Sequence, residues 1–427
     1  MTQTAIVGTS NAMLRSGWGK ALEACAPGRG VGNYSLPGNC SLFVAHRIRS
    51  QDIARRFDHC VIDCGVNDHN FIANSYITRE QACAYFAAAL AQFAAPGARC
   101  VPLVLLYANL VQLTNWEQSL SRGYMTGLCR AYGVPVLDLA PYVSERAERD
   151  GPEAVFADGN HFTPEFSRLV ADLVHCELSR LPRTRPVNPG IDVPEIGVFG
   201  PGEVSVENCA VLDMQSSLFS MQAVELRSGG RIRVRTGAHR HLCGLMHWSM
   251  ENTGHVAISG AHGRVVKNMS MRFSKAYLAP VFNVAACRGP DLEIALTGGE
   301  PTTERTRMES PHPLSDGGEP RVLLGDLLSC DRDPDQCGRG LLEWLARRGE
   351  APELAPADRL EAALGRLEGL LAPVAGARQV VLAHLHQEEL RNLVERTAGI
   401  APPLYFNEET YLALHPDVRQ AVVEGRL

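Results

Sequence analysis

Long apolar segments are missing from this sequence. No run of apolar residues is long enough to cross a lipid bilayer, and the first residues do not combine a basic segment with an apolar one. We therefore expect a cytoplasmic protein without a membrane span or a secretory leader. An excess of positive charge is missing as well, since the formal net charge is −6. Nucleic acid is not expected as a partner, because proteins that bind phosphate backbones present basic surfaces.

Paired cysteine motifs are also missing. The sequence has 13 cysteines, an odd number, and no two of them are separated by two residues. Cys60, Cys64 and Cys100 lie in apolar runs, where a free thiol packs as a small apolar group. This usage is typical of a reducing compartment and does not predict a disulfide framework.

Strand-like and helix-like segments alternate in the first part of the chain. The 427 residues are enough for two or three domains. Apolar runs predict strands over 4–7, 60–63, 100–106 and 135–139, and longer runs predict helices over 79–93, 116–132 and 164–181. This alternation favours a three-layer α/β/α domain with a parallel sheet. A functional site in such a domain is expected beyond the carboxyl ends of the strands.

Four short blocks in this domain carry reactive or polar side chains. The blocks are Ile6–Asn11, Asn33–Asn39, Gly65–Asp68 and Asp158–His161. A serine at a strand-to-helix turn, as Ser10 is here, is exposed above the sheet edge but needs a base to become a nucleophile. His161 is the candidate base, and Asp158 is near enough in sequence to orient it. Each block alone is also typical of an ordinary turn, and only their occurrence together favours a site.

These blocks, in this order, resemble the SGNH (GDSL-like) hydrolase superfamily over about the first 180 residues, a normal size for one domain. The resemblance implies a flavodoxin-like fold and ester chemistry through an acyl-serine intermediate. It implies a catalytic triad of Ser10, Asp158 and His161. It also implies an oxyanion hole formed by the backbone N–H groups of Ser10 and Gly38 and by the side-chain amide of Asn67.

Two residues depart from the family's pattern. Thr9 stands where the family usually has aspartate, and Ser35 stands where it often has glycine. Neither position carries a catalytic group, so the catalytic chemistry is expected to be unaffected. We interpret Asp68 as a structural residue that holds its loop. Candidate substrate contacts on nearby loops are His69, Tyr107, Asn109 and Trp116, although Trp116 is favoured as a helix anchor.

The pattern changes after residue 183, where the hydrolase-like domain (1–183) is predicted to end in a proline-rich linker. Short alternating runs punctuated by glycine predict an antiparallel β-sandwich over 195–298. The histidines His239, His241 and His247 raise the question of a metal. No carboxylate or cysteine with a firm ligand spacing joins them, so no metal site is predicted. Glycan binding, completion of the cleft and dimerisation remain open as roles for the sandwich.

The last part of the chain is predicted to contain a linker and a smaller region. Residues 299–320 are rich in Gly, Pro, Thr, Glu and Ser and predict a flexible linker. Residues 321–427 predict a mainly helical or α/β region. Within it, 405–418 resembles a Tyr-Leu-x-x-x-Pro-Asp-Val element found beside glycosyltransferase domains of bacterial surface-polysaccharide proteins. That element usually continues further, which predicts a truncated chain, and the alternative is an amphipathic terminal helix.

We therefore expect a bacterial serine esterase that removes an O-acyl group, above all acetyl, from a carbohydrate or a glycan precursor. One alternative is an O-acetyltransferase of surface-polysaccharide biosynthesis that uses the same triad and takes its acetyl group from acetyl-CoA. A second alternative is a non-catalytic scaffold that binds or assembles glycans. No metal is expected, no cofactor is expected for an esterase, and the sequence leaves a homo-oligomer open.

Overall fold

A parallel β-sheet of five strands forms the centre of the first domain. The computed structural model describes residues 2–349 except 27, 182–183, 217–218, 238–240, 250–253, 271–275, 298–299 and 307–318. The strands are β1 (Thr2–Val7), β2 (Arg29–Asn33), β3 (His59–Ile62), β4 (Val101–Leu106) and β5 (Val136–Asp138). Their order is β2-β1-β3-β4-β5, and every neighbouring pair is parallel. This is the flavodoxin-like order, so the predicted fold class of the first domain is confirmed.

Helices cover both faces of this sheet. They are α1 (Ser10–Met13), α2 (Trp18–Cys25), α3 (Ser41–Ser50), α4 (Ile53–Arg56), α5 (Gly65–Ala73), α6 (Arg79–Ala94), α7 (Arg122–Tyr132), α8 (Ala140–Asp150) and α9 (Pro164–Arg180). Successive strand residues point to opposite faces, and the buried apolar residues form two clusters. One joins Ile6 and Val61 to α2, α8 and α9, and the other joins Val7 and Ile62 to α3, α6 and α7. The three predicted layers follow from this alternation.

The first domain differs from the prediction at several segments, among them β2 and the helix predicted over 116–132. The strand β2 is missed because its sequence contains two glycines and a single apolar residue, so its pairing with β1 decides its conformation. The helix predicted over 116–132 is two elements, a 3-10 helix over Leu113–Gln118 and α7. The second of these ends at Gly133, whose φ of 68° favours glycine.

Two antiparallel sheets form the second part of the structure. Their strands are β6 (Ile196–Phe199), β7 (Ser205–Glu207), β8 (Ala210–Gln215), β9 (Ser220–Leu226), β10 (Arg231–Arg235), β11 (His241–Trp248), β12 (His255–Gly260), β13 (Gly263–Asn268), β14 (Ala276–Pro280), β15 (Asp291–Thr297) and β16 (Val322–Cys330). The sheet orders are β13-β12-β15-β10-β7 and β14-β11-β16-β9-β8, with β6 also paired to β16. Ile232 and Val234 of β10 are buried between exposed arginines, as a strand with one inner face requires. The inner residues of both sheets belong to one apolar cluster, so the predicted β-sandwich is confirmed.

The six-stranded sheet is covered on both faces. All residues of β11 are buried, and Gly244 lies so close to α3 that a Cβ atom there would be 3.0 Å from Leu42 Cδ2. One face of this sheet therefore packs on the other sheet, and the opposite face packs on the first domain. A further helix, α10 (Pro334–Arg347), packs along α6. Both domains belong to one compact unit, Met1–Ala351.

The predicted domain boundaries need correction after residue 298. The prediction places β16 in a separate region over 321–427, but this strand pairs with β11, β9 and β6 and lies inside the sandwich. The predicted linker over 299–320 is anchored at Glu304, which is buried and lies 3.0 Å from the Nζ of Lys267. Contacts between residues that are distant in sequence are the reason for both differences. The rest of the predicted C-terminal region, including 405–418, lies outside the described residues.

Candidate active site

The carboxyl ends of β1 and β3 place the predicted site residues at one edge of the sheet. The strand order reverses between these two neighbours, and ligands of such sheets bind at this switch point. Ser10 begins α1 just after β1, and Asn67 lies in the first turn of α5 just after β3. The turn needs glycine at Gly8, because a Cβ atom there would lie 3.0 Å from Asp63 Cβ. The local sequence thus allows the serine turn to approach β3 closely.

Ser10, His161 and Asp158 form a continuous chain of hydrogen bonds. The Oγ of Ser10 lies 2.9 Å from the Nε2 of His161. The Nδ1 of His161 lies 2.7 Å from the Oδ2 of Asp158. When the carboxylate accepts the proton on Nδ1, the Nε2 of the neutral ring is free to accept the serine proton. The arrangement has the geometry that a serine nucleophile and its base require.

Asp158 is an exposed carboxylate with several hydrogen-bond donors. Its side chain is 57% exposed, and its Oδ1 accepts the backbone N–H groups of Asn160 at 2.7 Å and His161 at 2.9 Å. Its slight burial alone would raise the pKa of Asp158. The hydrogen bonds from the His161 side chain and from the two N–H groups outweigh this and hold the pKa below its ordinary value. The carboxylate is therefore ionised at neutral pH, as an orienting group must be.

Asn11 holds the segment that carries His161. Its Nδ2 donates to the backbone oxygen of Asn160 at 2.9 Å, and its Oδ1 accepts the N–H of Phe162 at 3.0 Å. Asn160 and Phe162, which flank His161, are therefore both hydrogen-bonded to Asn11, the residue after Ser10. The sequence analysis did not assign this role to Asn11. The available sequence signal was its position next to the predicted nucleophile.

Each of the three predicted oxyanion donors has an N–H hydrogen that is free to bind a ligand. The backbone N–H groups of Ser10 and Gly38 have no acceptor among the described residues. Gly38 has a φ of 73°, a left-handed conformation that favours glycine. The Nδ2 of Asn67 donates one hydrogen to the backbone oxygen of Asn39 at 2.9 Å and keeps a second one. Three donors are therefore available to an anionic oxygen, and their catalytic role stays a prediction.

A buried carboxylate lies beneath the serine turn. The Oδ2 of Asp63 accepts hydrogen bonds from Tyr107 Oη at 2.9 Å, Trp18 Nε1 at 3.3 Å and Thr9 Oγ1 at 3.4 Å. Its Oδ1 has no hydrogen-bond partner in the described part of the chain. Burial raises the pKa of Asp63 to about 6 despite the three donors. Thr9, at the position where the SGNH pattern has aspartate, therefore contacts a carboxylate that comes from the end of β3.

The variant Asp63→Asn is expected to change how stability depends on pH. A carboxyl whose pKa is about 6 in the folded protein and about 3.9 in the unfolded chain stabilises the fold below pH 4 and loses this effect as the pH rises through 6. Asparagine does not titrate. The free energy of unfolding of the variant, relative to the wild type, should therefore rise by on the order of 2 kcal/mol between about pH 4 and pH 7. Urea unfolding across this range measures the difference.

The control for this experiment is Asp213→Asn on the exposed face of β8. This variant removes a carboxylate on the surface, so its free-energy difference from the wild type supplies the baseline over the same pH range. A difference for Asp63→Asn that follows this baseline would show that burial does not disfavour the ionised form of Asp63.

Ser35 and Asp68 secure the loops beside the site. The Oγ of Ser35 accepts the N–H of Gly8 at 2.9 Å, so this departure from the family's pattern ties the second block to the serine turn. Asp68 is fully buried and accepts hydrogen bonds from Ser41 N–H at 2.7 Å and Tyr124 Oη at 2.8 Å. These contacts agree with the structural role expected of Asp68.

Three of the four side chains expected as substrate contacts are buried. They are His69, Tyr107 and Asn109. Asn109 donates from Nδ2 to the side-chain oxygen of Asn160 at 3.0 Å, so it supports the segment around His161. The guanidinium of Arg122 lies 4.4 Å from the ring centroid of Trp116, as an anchor for α7 requires. A contact of these four residues with substrate stays a prediction.

Neither a metal site nor a membrane-spanning helix is found in the part of the chain that the structure describes. No group of three or more histidine, cysteine, aspartate or glutamate side chains is placed to hold a metal ion there. Of the histidines that raised the question of a metal, His247 is fully buried, and burial and nearby Lys267 lower its pKa to about 3. His239 lies outside the described residues. No helix in the described ranges is long and apolar enough to cross a membrane.

The fold is similar to that of a two-domain esterase of known structure. No family model and no curated protein matches this sequence. Two crystal structures of a two-domain esterase active on acetylated mannans, one co-crystallised with mannopentaose, are similar with TM-scores of 0.54 and 0.52 and identities of 11% and 12%. The similarity extends over 78% of this chain in both cases, and over 92% and 91% of the two esterase chains. A member of the lipolytic protein G-D-S-L family from Veillonella parvula matches with a TM-score of 0.36 and 15% identity over 42% of this chain and 100% of its own. The two-domain likeness and the sheet order confirm the fold expected from the SGNH resemblance.

Proposed function

We propose that this protein is a serine esterase that removes an O-acyl group, above all acetyl, from a carbohydrate or a glycan precursor. The observation that carries the proposal is the hydrogen-bonded chain of Ser10, His161 and Asp158 at the carboxyl edge of the parallel sheet. The carbohydrate part is supported by the fold shared with a two-domain esterase active on acetylated mannans. The reaction needs no cofactor.

The first half of the reaction forms an acyl-enzyme. The Oγ of Ser10 attacks the carbonyl carbon of the ester, and the Nε2 of His161 accepts the hydroxyl proton. Asp158 stabilises the imidazolium. The tetrahedral oxyanion receives hydrogen bonds from Ser10, Gly38 and Asn67. The proton on Nε2 then passes to the sugar oxygen as the ester C–O bond breaks, which releases the deacylated sugar.

The second half restores the enzyme. Water attacks the acyl carbon while the Nε2 of His161 accepts one of its protons, and collapse of the intermediate returns this proton to the Oγ of Ser10. Acetic acid leaves as acetate. In the alternative reaction an acetyl donor such as acetyl-CoA acylates Ser10, and a sugar hydroxyl replaces water. The product that accumulates therefore distinguishes an esterase from an acetyltransferase.

The test compares the wild type with Ser10→Ala on 4-nitrophenyl acetate and on acetylated manno-oligosaccharides. We expect acetate release that depends on Ser10 and is unaffected by free sugars. Acetylated sugar as the main product in the presence of acetyl-CoA would replace the esterase with an acetyltransferase. No Ser10-dependent turnover and no labelling of Ser10 by a fluorophosphonate would contradict both activities and favour a non-catalytic glycan scaffold.

A further inference from the structure

A buried hydrogen bond connects the β-sandwich to the oxyanion loop, which we define as residues 36–39. The strand β14 is at the edge of its sheet, and among the described strands it pairs with β11 alone. In an antiparallel edge strand, alternate N–H groups point away from the neighbouring strand. The N–H of Leu278 donates to the Oδ1 of Asn39 at 3.0 Å. Leu278 is 3% exposed and Asn39 is 2% exposed, so water does not compete for this bond.

The same side chain also braces the oxyanion loop from within. The Nδ2 of Asn39 donates to the backbone oxygens of Leu36 at 3.2 Å and Pro37 at 3.0 Å. Both amide hydrogens are thus used inside the loop, while the amide oxygen is used by the sandwich. Because these two carbonyl groups are held in place, the conformation that leads into Gly38 is set by the position of Asn39.

The backbone of Asn39 reaches the other side of the candidate oxyanion hole. Its carbonyl oxygen accepts the hydrogen bond from Asn67 Nδ2 at 2.9 Å. Gly38, which supplies a second donor, is its immediate neighbour in the chain. One residue is therefore bonded to both donors, to Gly38 through a peptide bond and to Asn67 through a hydrogen bond.

We infer that Asn39 is a positioning residue through which the β-sandwich sets the geometry of the oxyanion hole. The inference rests on the proposed function and extends it, because it makes the sandwich part of the catalytic unit. Asn39 touches no reacting atom and acts through Gly38 and Asn67. Oxyanion donors stabilise the transition state more than the bound ester, so a displaced donor lowers kcat and has little effect on KM.

The test uses Asn39→Ala in the full chain, with 4-nitrophenyl acetate as substrate. We expect kcat to fall by about 10- to 100-fold and KM to change by less than about threefold. The rate at which a fluorophosphonate modifies Ser10 should fall in proportion, because the phosphonyl oxygen occupies the same hole. Thermal melting and gel filtration establish that the variant is folded.

The matched control weakens a different contact between the same two domains. The Nε2 of His46 on α3 lies 2.7 Å from the Oδ2 of Asp326 on β16, and neither side chain has a described hydrogen bond to Asn39, Gly38 or Asn67. Asp326→Asn should lower thermal stability and leave kcat within about twofold of the wild type. An equal loss of kcat in both variants would show that domain docking in general, and not Asn39, sets the rate, and would overturn the inference.

A second variant, Asn39→Asp, covers the case in which Asn39→Ala does not fold. A neutral carboxyl accepts from Leu278 and donates to one loop carbonyl, whereas a carboxylate donates nothing. The ratio of its kcat to that of the wild type should therefore recover as the pH falls from about 8 to about 5. A constant ratio, or a full kcat in folded Asn39→Ala, overturns the inference alone. A wild type without Ser10-dependent turnover overturns the proposed function and this inference with it.

Discussion

Replacing Ser10 with alanine is expected to lower kcat for ester hydrolysis by about 10⁴-fold or more and to leave the fold unchanged. The Oγ of Ser10 is the atom that lies 2.9 Å from the base nitrogen of His161. Alanine is readily accommodated at the start of α1, because the hydrogen bond described for the serine hydroxyl goes to His161 and not to the backbone of that helix. Without the hydroxyl, no acyl-enzyme forms. Rapid quenching and mass spectrometry of the intact protein should find an acetyl adduct on the wild type and none on the variant.

The matched control is Ser144→Ala on α8, where the hydroxyl bonds the carboxylate of Glu148. This variant should keep the turnover of the wild type, since that contact lies on the exposed side of the helix. If Ser10→Ala keeps full activity, the nucleophile is a different residue and the proposed mechanism is wrong.

The residues of the predicted triad could be found from the sequence because their signals are local. Ser10 follows an apolar run and a glycine, and Asp158 and His161 belong to one short block. The supporting residues carry no such signal. Asn11 lies in the short helix α1 and Asn39 in a loop, and an asparagine in either setting is ordinary, above all near turns. Their partners, Phe162 for one and Leu278 for the other, are distant in sequence and become visible only in the folded chain.

The same distinction explains which parts of the fold could be predicted. Buried parallel strands such as β3 and β4 are continuous apolar runs, and the alternation in β10 is a direct sign of a strand with one buried face. The strand β2 has no apolar run that would predict a strand, and its extended conformation depends on its pairing with β1. The strand β16 does have an apolar run, but the linker-like residues before it predict a new region where the chain in fact returns to the sandwich.

The interface between the two domains favours one of the roles that the sequence leaves open for the sandwich, the completion of the catalytic cleft. Polar side chains cross this interface at both α3 and α6. Gln81 of α6 donates from Nε2 to the backbone oxygen of Phe282 at 2.7 Å, and His46 of α3 contacts Asp326. The helix α3 begins directly after the oxyanion loop. The bond from Leu278 to Asn39 favours a sandwich that completes the catalytic domain, and the contacts of Gln81 and His46 hold the two domains together.

Replacing His161 with alanine is expected to lower kcat by about 10⁴-fold, and imidazole in solution is expected to restore part of the loss. The His161 side chain is 29% exposed, so the space left by the ring is open to solvent. Asp158 should stay in position, because its Oδ1 is held by the backbone N–H groups of Asn160 and residue 161, which alanine retains. Added imidazole can then accept the proton of Ser10 while it donates to the waiting carboxylate. Measuring kcat against imidazole concentration tests this.

Two controls separate the loss of a base from other effects. Imidazole should not restore Ser10→Ala, which has a base but no nucleophile. His262→Ala, in the exposed turn between β12 and β13, should retain full activity and show no response to imidazole. If His161→Ala is folded and retains wild-type kcat, the base is another group. If it is inactive and imidazole has no effect even when Asp158 and Ser10 are in place, the ring contributes chiefly by holding the loop, and the general-base step has to be assigned elsewhere.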